Sequence, residues 1–134
     1  MDAYLTKDAI RTLRALALLA GAQAEGLLLG HRRGGRCLVE AVLATRPGFF
    51  PTLGSFLESD RLLRGRVIGF FSLKPAPARL KRILAPFAVG KIFLDASPLA
   101  VKRGAPRAFL VDFDRAVRLR PLPCVREKEI RHAR

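Results

Sequence analysis

Few side chains in this sequence have the type and spacing that chemistry needs. Its two histidines, His31 and His132, lie far apart, one beside Arg32 and Arg33 and the other close to the C-terminus. Its two cysteines, Cys37 and Cys124, lack a CxxC spacing and read as reduced, small apolar residues rather than a redox or zinc pair. What the chain carries in excess is positive charge: 25 Lys and Arg against 11 Asp and Glu, a net +14. Such a balance favours acidic partners, whether nucleic acid, an anionic membrane surface or an acidic protein. No Asp or Glu occurs from Arg61 to Leu94, a stretch that holds Arg61, Arg64, Arg66, Arg79, Lys81 and Arg82. Arg61, Arg64, Arg79, Lys81 and Arg82 are the candidate binding patch for an acidic partner. A solvated helix end and loop is the plainer reading of the same charges.

The elements that must position these groups fit within one domain of 134 residues and 14.8 kDa. Half the residues are hydrophobic and the mean hydropathy is +0.17, which excludes disorder, collagen-like repeats and a disulfide-rich miniprotein. The longest apolar stretch, Ala15–Ala22, falls far short of the roughly 20 residues that cross a bilayer. Asp2 and Asp8 stand where a signal peptide would be basic. The expectation is a cytoplasmic protein with no membrane partner.

Helical spacing of Ile10, Leu13, Leu16, Ala17 and Ala20 behind Thr6 predicts a helix over about Thr6–Ala22. Gly26–His31 and Cys37–Ala44, apolar runs around Gly34-Gly35, predict a hairpin. Pro47, Gly48 and Pro51 forbid regular structure, and a short helix is expected from about Thr52 to Leu63. Arg66–Leu73 reads as a central strand, apolar on both faces. Two helical turns are expected within Ala78–Leu84, then strands at Lys91–Asp95, Arg107–Phe113 and Arg115–Leu122. Phe70-Phe71 should put one ring on each side of the sheet, and Phe49-Phe50 could cap a loop or stack against bases beside the arginines.

Four blocks in this order resemble the JAB/MPN (JAMM) metalloprotease-like domains. They are Glu25-Gly26-Leu27-Leu28-Leu29-Gly30 opening a strand, Val67-Ile68-Gly69-Phe70-Phe71 leading to Pro75, Ala85-Pro86-Phe87, and Lys91–Leu94. The resemblance runs from about Leu5 to Phe113. It implies an α/β fold: a single domain over 1–124 with a curved mixed β-sheet flanked by helices, cytidine-deaminase-like, and a charged tail over 125–134. In active members of that family a zinc ion is held by a His-x-His step after the Gly-aromatic strand and by an Asp about eleven residues on. A Glu just before the Gly-Leu-Leu block acts as general acid and base on the zinc-bound water.

This sequence departs from that pattern at each position. The histidine places carry Ser72 and Lys74, the aspartate place falls on Ala85, and the glutamate place on Gln23. Glu25 lies one residue before the glycine and would serve only if the register slipped by two. Lys74 could supply positive charge where the zinc sits in the family, although a solvated lysine at a strand end is the simpler reading. The resemblance therefore implies a catalytically inactive domain without metal or other cofactor, working as a protein-binding or scaffold module. A protein partner or a homodimer is expected, with Phe49, Phe50 and Leu53 as the candidate interface. Two alternatives stand beside it: a zinc-dependent JAMM-type isopeptidase with its site in another register, and a basic nucleic-acid-binding protein. The latter ranks last because no recognisable nucleic-acid-binding motif supports it.

Overall fold

A computed structural model describes residues 1–19, 24–45, 52–74, 80–81, 83–100 and 105–127. The chain opens with a strand, β1 (Asp2–Leu5), and turns at Thr6 into helix α1 (Lys7–Leu19). The Thr6 hydroxyl accepts from the Ala9 amide (3.2 Å) and donates to the Glu40 carbonyl (3.1 Å), so it caps the helix and ties it to the next hairpin. Of the predicted stripe, Ile10 and Leu13 are buried, Leu16 and Ala17 pack half-buried against the same core, and Ala20 lies outside the described residues; Ala9 is buried beside them.

Strands β2 (Glu25–Arg33) and β3 (Arg36–Thr45) make that hairpin, with Gly34 at φ 59° supplying the turn conformation that glycine tolerates best. Helix α2 (Leu53–Leu62) starts in a reciprocal cap between Thr52 and Ser55. It is followed by β4 (Val67–Ser72), β5 (Ile92–Asp95), β6 (Arg107–Asp114), β7 (Ala116–Leu122) and β8 (Cys124–Arg126).

All eight strands belong to one sheet in the order β7-β6-β5-β4-β2-β3-β1-β8. Strands β7 and β8 stand at its opposite edges, yet only Pro123 separates them in the chain. The sheet must therefore curl until its edges nearly meet, and the result is a nearly closed, barrel-like sheet. At the seam the Ala3 amide donates to the Pro123 carbonyl (2.9 Å) and the Glu127 amide to the Leu5 carbonyl (2.8 Å). Pro121 and Pro123 have no N–H to offer, and here the chain leaves β6 and begins to pair with β1.

The expected α/β architecture, a sheet flanked by helices as in JAB/MPN domains, is therefore wrong. The protein is mostly β, with two short α-helices among the described residues. The error lies in two short strands, β1 and β8. Asp2–Leu5 precedes the helix signal, and Val125-Arg126 fell within the expected tail; β1 pairs with both β3 and β8 and brings the sheet round on itself.

Two apolar clusters divide the faces of the sheet. The inner one gathers residues from all eight strands, among them Leu5, Val39, Phe71, Leu94 and Leu110, with α1 packed onto it. The outer one joins Leu27, Phe70, Phe93 and Val111 to Phe56 of α2 and to Ile83 and Ala88 of the β4–β5 connection. Phe70 and Phe71 thus serve opposite faces, as strand alternation requires.

Candidate functional site

The three buried polar residues among those described, Glu25, Ser72 and Asp95, fall in one line across the sheet. Thr45 stands opposite Glu25, Glu25 opposite Ser72, Ser72 opposite Asp95, and Asp95 opposite Arg107. Residues directly opposite in a ladder project from the same face. Each lies two positions from a residue facing the outer cluster: Glu25 from Leu27, Ser72 from Phe70, Asp95 from Phe93 and Arg107 from Phe109.

The contacts in this row hold strand ends together. Asp95 Oδ1 accepts from the Ser97 amide (3.0 Å) and Oδ2 from Arg107 Nη2 (3.3 Å). Ser72 Oγ accepts from the Lys74 amide (3.1 Å), and the Thr45 hydroxyl donates to the Glu25 carbonyl (3.2 Å). No imidazole stands in this row; Ser72 lies between Glu25 and Asp95, one on each neighbouring strand. Among the described residues no group of three or more His, Cys, Asp or Glu is arranged to hold a metal ion.

Of the positions singled out by the family resemblance, Ser72 is buried in the row, Lys74 is exposed two residues on, and Ala85 lies half-buried before the 3-10 turn Pro86–Ala88. Gln23 lies outside the described residues. Sequence reasoning passed over Asp95 and Arg107. An Asp two residues before a Ser at a strand end is the local signal for the side-chain-to-amide turn seen at Asp95.

A second feature is the end of the sheet where β2 turns into β3, β4 and β5 begin, and β6 turns into β7. Arg32 and Arg33 stand at the first turn, Arg61 and Arg64 at the end of α2, Arg66 just before β4, and Arg115 at the β6–β7 turn. Arg64 and Arg115 adopt left-handed conformations, with φ of 56° and 62°. These tight turns bring charged stretches that are distant in sequence to one end of the molecule. Some arginines here have acidic neighbours: Arg36 grips Asp2 through two nitrogens (3.0 and 3.1 Å), Arg66 approaches Glu40 (3.7 Å), and Arg118 and Arg120 pair with Asp114 (3.2 Å) and Asp112 (3.4 Å). His31 also meets Glu40. Arg33, Arg61, Arg64 and Arg115 form no ion pair with the described residues. Leu62, next to Arg61 in the chain, and Phe113, two residues before Arg115, are 66% and 63% exposed.

Of the predicted basic patch, Arg61 and Arg64 belong to this end. Lys81 is exposed on the β4–β5 connection, while Arg79 and Arg82 lie outside the described residues. Of the predicted interface, Leu53 is exposed at the start of α2, and Phe49 and Phe50 lie outside the described residues.

A groove of about 410 Å³ runs along the seam, lined by Pro106, Arg107, Ala108, Phe109, Pro121, Leu122 and Cys124. Burial pushes the Cys124 thiol up to about 11, so near neutral pH it is protonated and a poor nucleophile. Cys37 and Cys124 are both free, and they flank Ala3 from opposite sides. Two strand spacings, roughly 10 Å, separate them, beyond the reach of a disulfide.

No family model and no curated protein matches the chain. Among solved structures it is similar to protein DSY2949 from Desulfitobacterium hafniense, determined in solution, with a TM-score of 0.64 and 19% identity over 97% of this chain and 96% of that one. At that identity the likeness shows a shared fold. No helix among the described residues is long and apolar enough to cross a membrane.

Proposed function

We propose that this protein is a non-catalytic binding module that holds an acidic, partly apolar segment of a partner protein against its arginine-rich end. The observation that carries this reading is the gathering of Arg32, Arg33, Arg61, Arg64, Arg66 and Arg115 from three separate stretches of chain around exposed Leu62 and Phe113. Guanidinium groups beside exposed apolar side chains are what protein interfaces use as anchors, since Arg recognises carboxylates in a planar fork while the apolar groups gain from losing water. A protein is favoured over nucleic acid because Asp2, Glu40, Asp112 and Asp114 interrupt the same surface and would repel a continuous line of phosphates.

The reading includes a cytoplasmic setting, supported by two free thiols too far apart to bridge. It does not rest on the JAB/MPN resemblance, whose helix-flanked sheet this chain lacks.

The test is an NMR titration of isotope-labelled protein with a peptide of alternating Glu and Val, and separately with a DNA duplex of equal charge. The expected result is peptide binding that weakens with salt and shifts the amides of Arg32–Gly35, Arg61–Arg66 and Phe113–Arg120. Charge reversal at Arg61, Arg64 and Arg115 together should weaken it at least tenfold. Tighter binding of the duplex, or peptide shifts elsewhere, would overturn the reading.

A further inference from the structure

The strand β7 is paired on one side. Its residues Ala116–Leu122 face β6 from Asp114 back to Ala108, and no described strand lies against its other side. The reason is the seam: β8 takes up β1 from Cys124 onward, and β1 itself begins at Asp2, one residue before the partner of Cys124. The lower part of the continuous β7–β8 line therefore extends past the start of β1. Unpaired backbone N–H and C=O groups in such an edge can accept another strand.

The side chains of this edge are sorted by face. Val117 and Leu119 pack against the outer cluster, and exposed Phe113 stands opposite Val117. Arg118 and Arg120 project from the other face, where Arg118 Nη2 meets Asp114 (3.2 Å) and Arg120 Nε meets Asp112 (3.4 Å) on β6. A guanidinium has five N–H donors, so each arginine retains donors for a further carboxylate. Pro121 offers no N–H and limits a new ladder to Ala116–Arg120.

We propose that β7 accepts an extended segment of the acidic partner as an added strand, with its acidic side chains toward Arg118 and Arg120 and its apolar ones toward Val117, Leu119 and Phe113. This rests on the binding reading above and specifies how the partner is held. A second copy of the chain is a poor occupant: antiparallel pairing of two β7 strands about Leu119 sets Arg118 of one against Arg120 of the other, and directly opposed like charges are destabilising.

The experiment uses the full chain and three end-blocked peptides of alternating Glu and Val: one unmodified, one N-methylated on the amides along one edge, and one N-methylated along the other. Amide hydrogen exchange is followed alongside affinity. The unmodified peptide should slow exchange at least tenfold within Val117–Arg120, and methylation of one edge should weaken binding at least tenfold while methylation of the other should not. Arg118→Gln together with Arg120→Gln should weaken binding without unfolding the hairpin, checked by the unchanged exchange of Ala108–Val111. Binding with shifts at Arg61–Arg66 but no protection in β7, or equal affinity of all the peptides, overturns the added strand and leaves the binding reading intact. Failure of the unmodified peptide to bind at millimolar concentration overturns both.

Discussion

Asp95 and Arg107 stand directly opposite one another in the β5–β6 ladder, and a side-chain contact of 3.3 Å joins them across it. The same carboxylate holds the Ser97 amide through its other oxygen, so one residue both ends β5 and ties it to β6. Asp95→Ala leaves a half-buried amide and a guanidinium nitrogen without their acceptor, and should cost about 1–3 kcal/mol. Asp95→Asn keeps an oxygen for Ser97 and loses only the charge on a partner that is largely exposed, so about 0–1 kcal/mol is expected. Urea denaturation of the two variants checks this; equal losses would mean that the turn contributes little.

The central ladder depends on close backbone approach at Gly69. A Cβ there would collide with the backbone carbonyl and side chain of Ile92 on the neighbouring strand. Gly69→Ala should therefore destabilise the protein by about 2–3 kcal/mol. Gly54, in the first turn of α2, has open space around it. There, Gly54→Ala should stabilise by about 0.5 kcal/mol through helix propensity and a less flexible unfolded chain. Thermal unfolding of the pair gives opposite signs, and a shared sign would contradict this account.

The Cys124 thiol, held protonated by burial with about 11 as its midpoint, gives a prediction at high pH. Its value is raised above the ordinary 9.0, so the folded state binds this proton more tightly than the unfolded state. The resulting stability is complete below pH 9 and is lost as pH rises toward 11. Cys124→Ser should flatten that part of the pH–stability curve. At pH 8, alkylation of Cys124 in the folded protein should be about a hundredfold slower than of an ordinary thiol, because the thiolate fraction is that much smaller. Peptide mapping after timed alkylation reads this directly.

At the N-terminal edge, the Arg36 guanidinium donates to Asp2 and holds its carboxyl below the ordinary value of 3.8, despite a smaller opposing effect of desolvation. A depressed carboxylate contributes stability above its unfolded value and loses it as pH falls through the folded one. Asp2→Asn should be less stable than the parent at neutral pH. The two should converge on acidification below the usual Asp range, and a gap that persists there would point to lost packing instead.

Much of this fold was legible because its signals are local. Thr6 as a cap, the Gly34-Gly35 turn, Thr52 ahead of α2 and the alternating β7 each follow from neighbours within a few residues. Asp2–Leu5 and Cys124–Arg126 have no such signal. Each is too short to show a period, and their role appears only when they lie side by side. The sites follow the same division: the arginines could be counted from the chain, but which of them share an end of the sheet depends on how the turns fold.

The amino-acid pattern by itself determined the charge, the apolar faces and most element boundaries, since these depend on residue type and on spacing of two or 3.6 residues. Tertiary structure decided three further things: closure of the sheet through β1 and β8, alignment of Glu25, Ser72, Asp95 and Arg107 across four strands, and the unpaired side of β7. Each of these is a matter of register between segments far apart in the chain. A shift of one residue would turn every side chain to the other face, and only packing of the whole barrel selects among the registers.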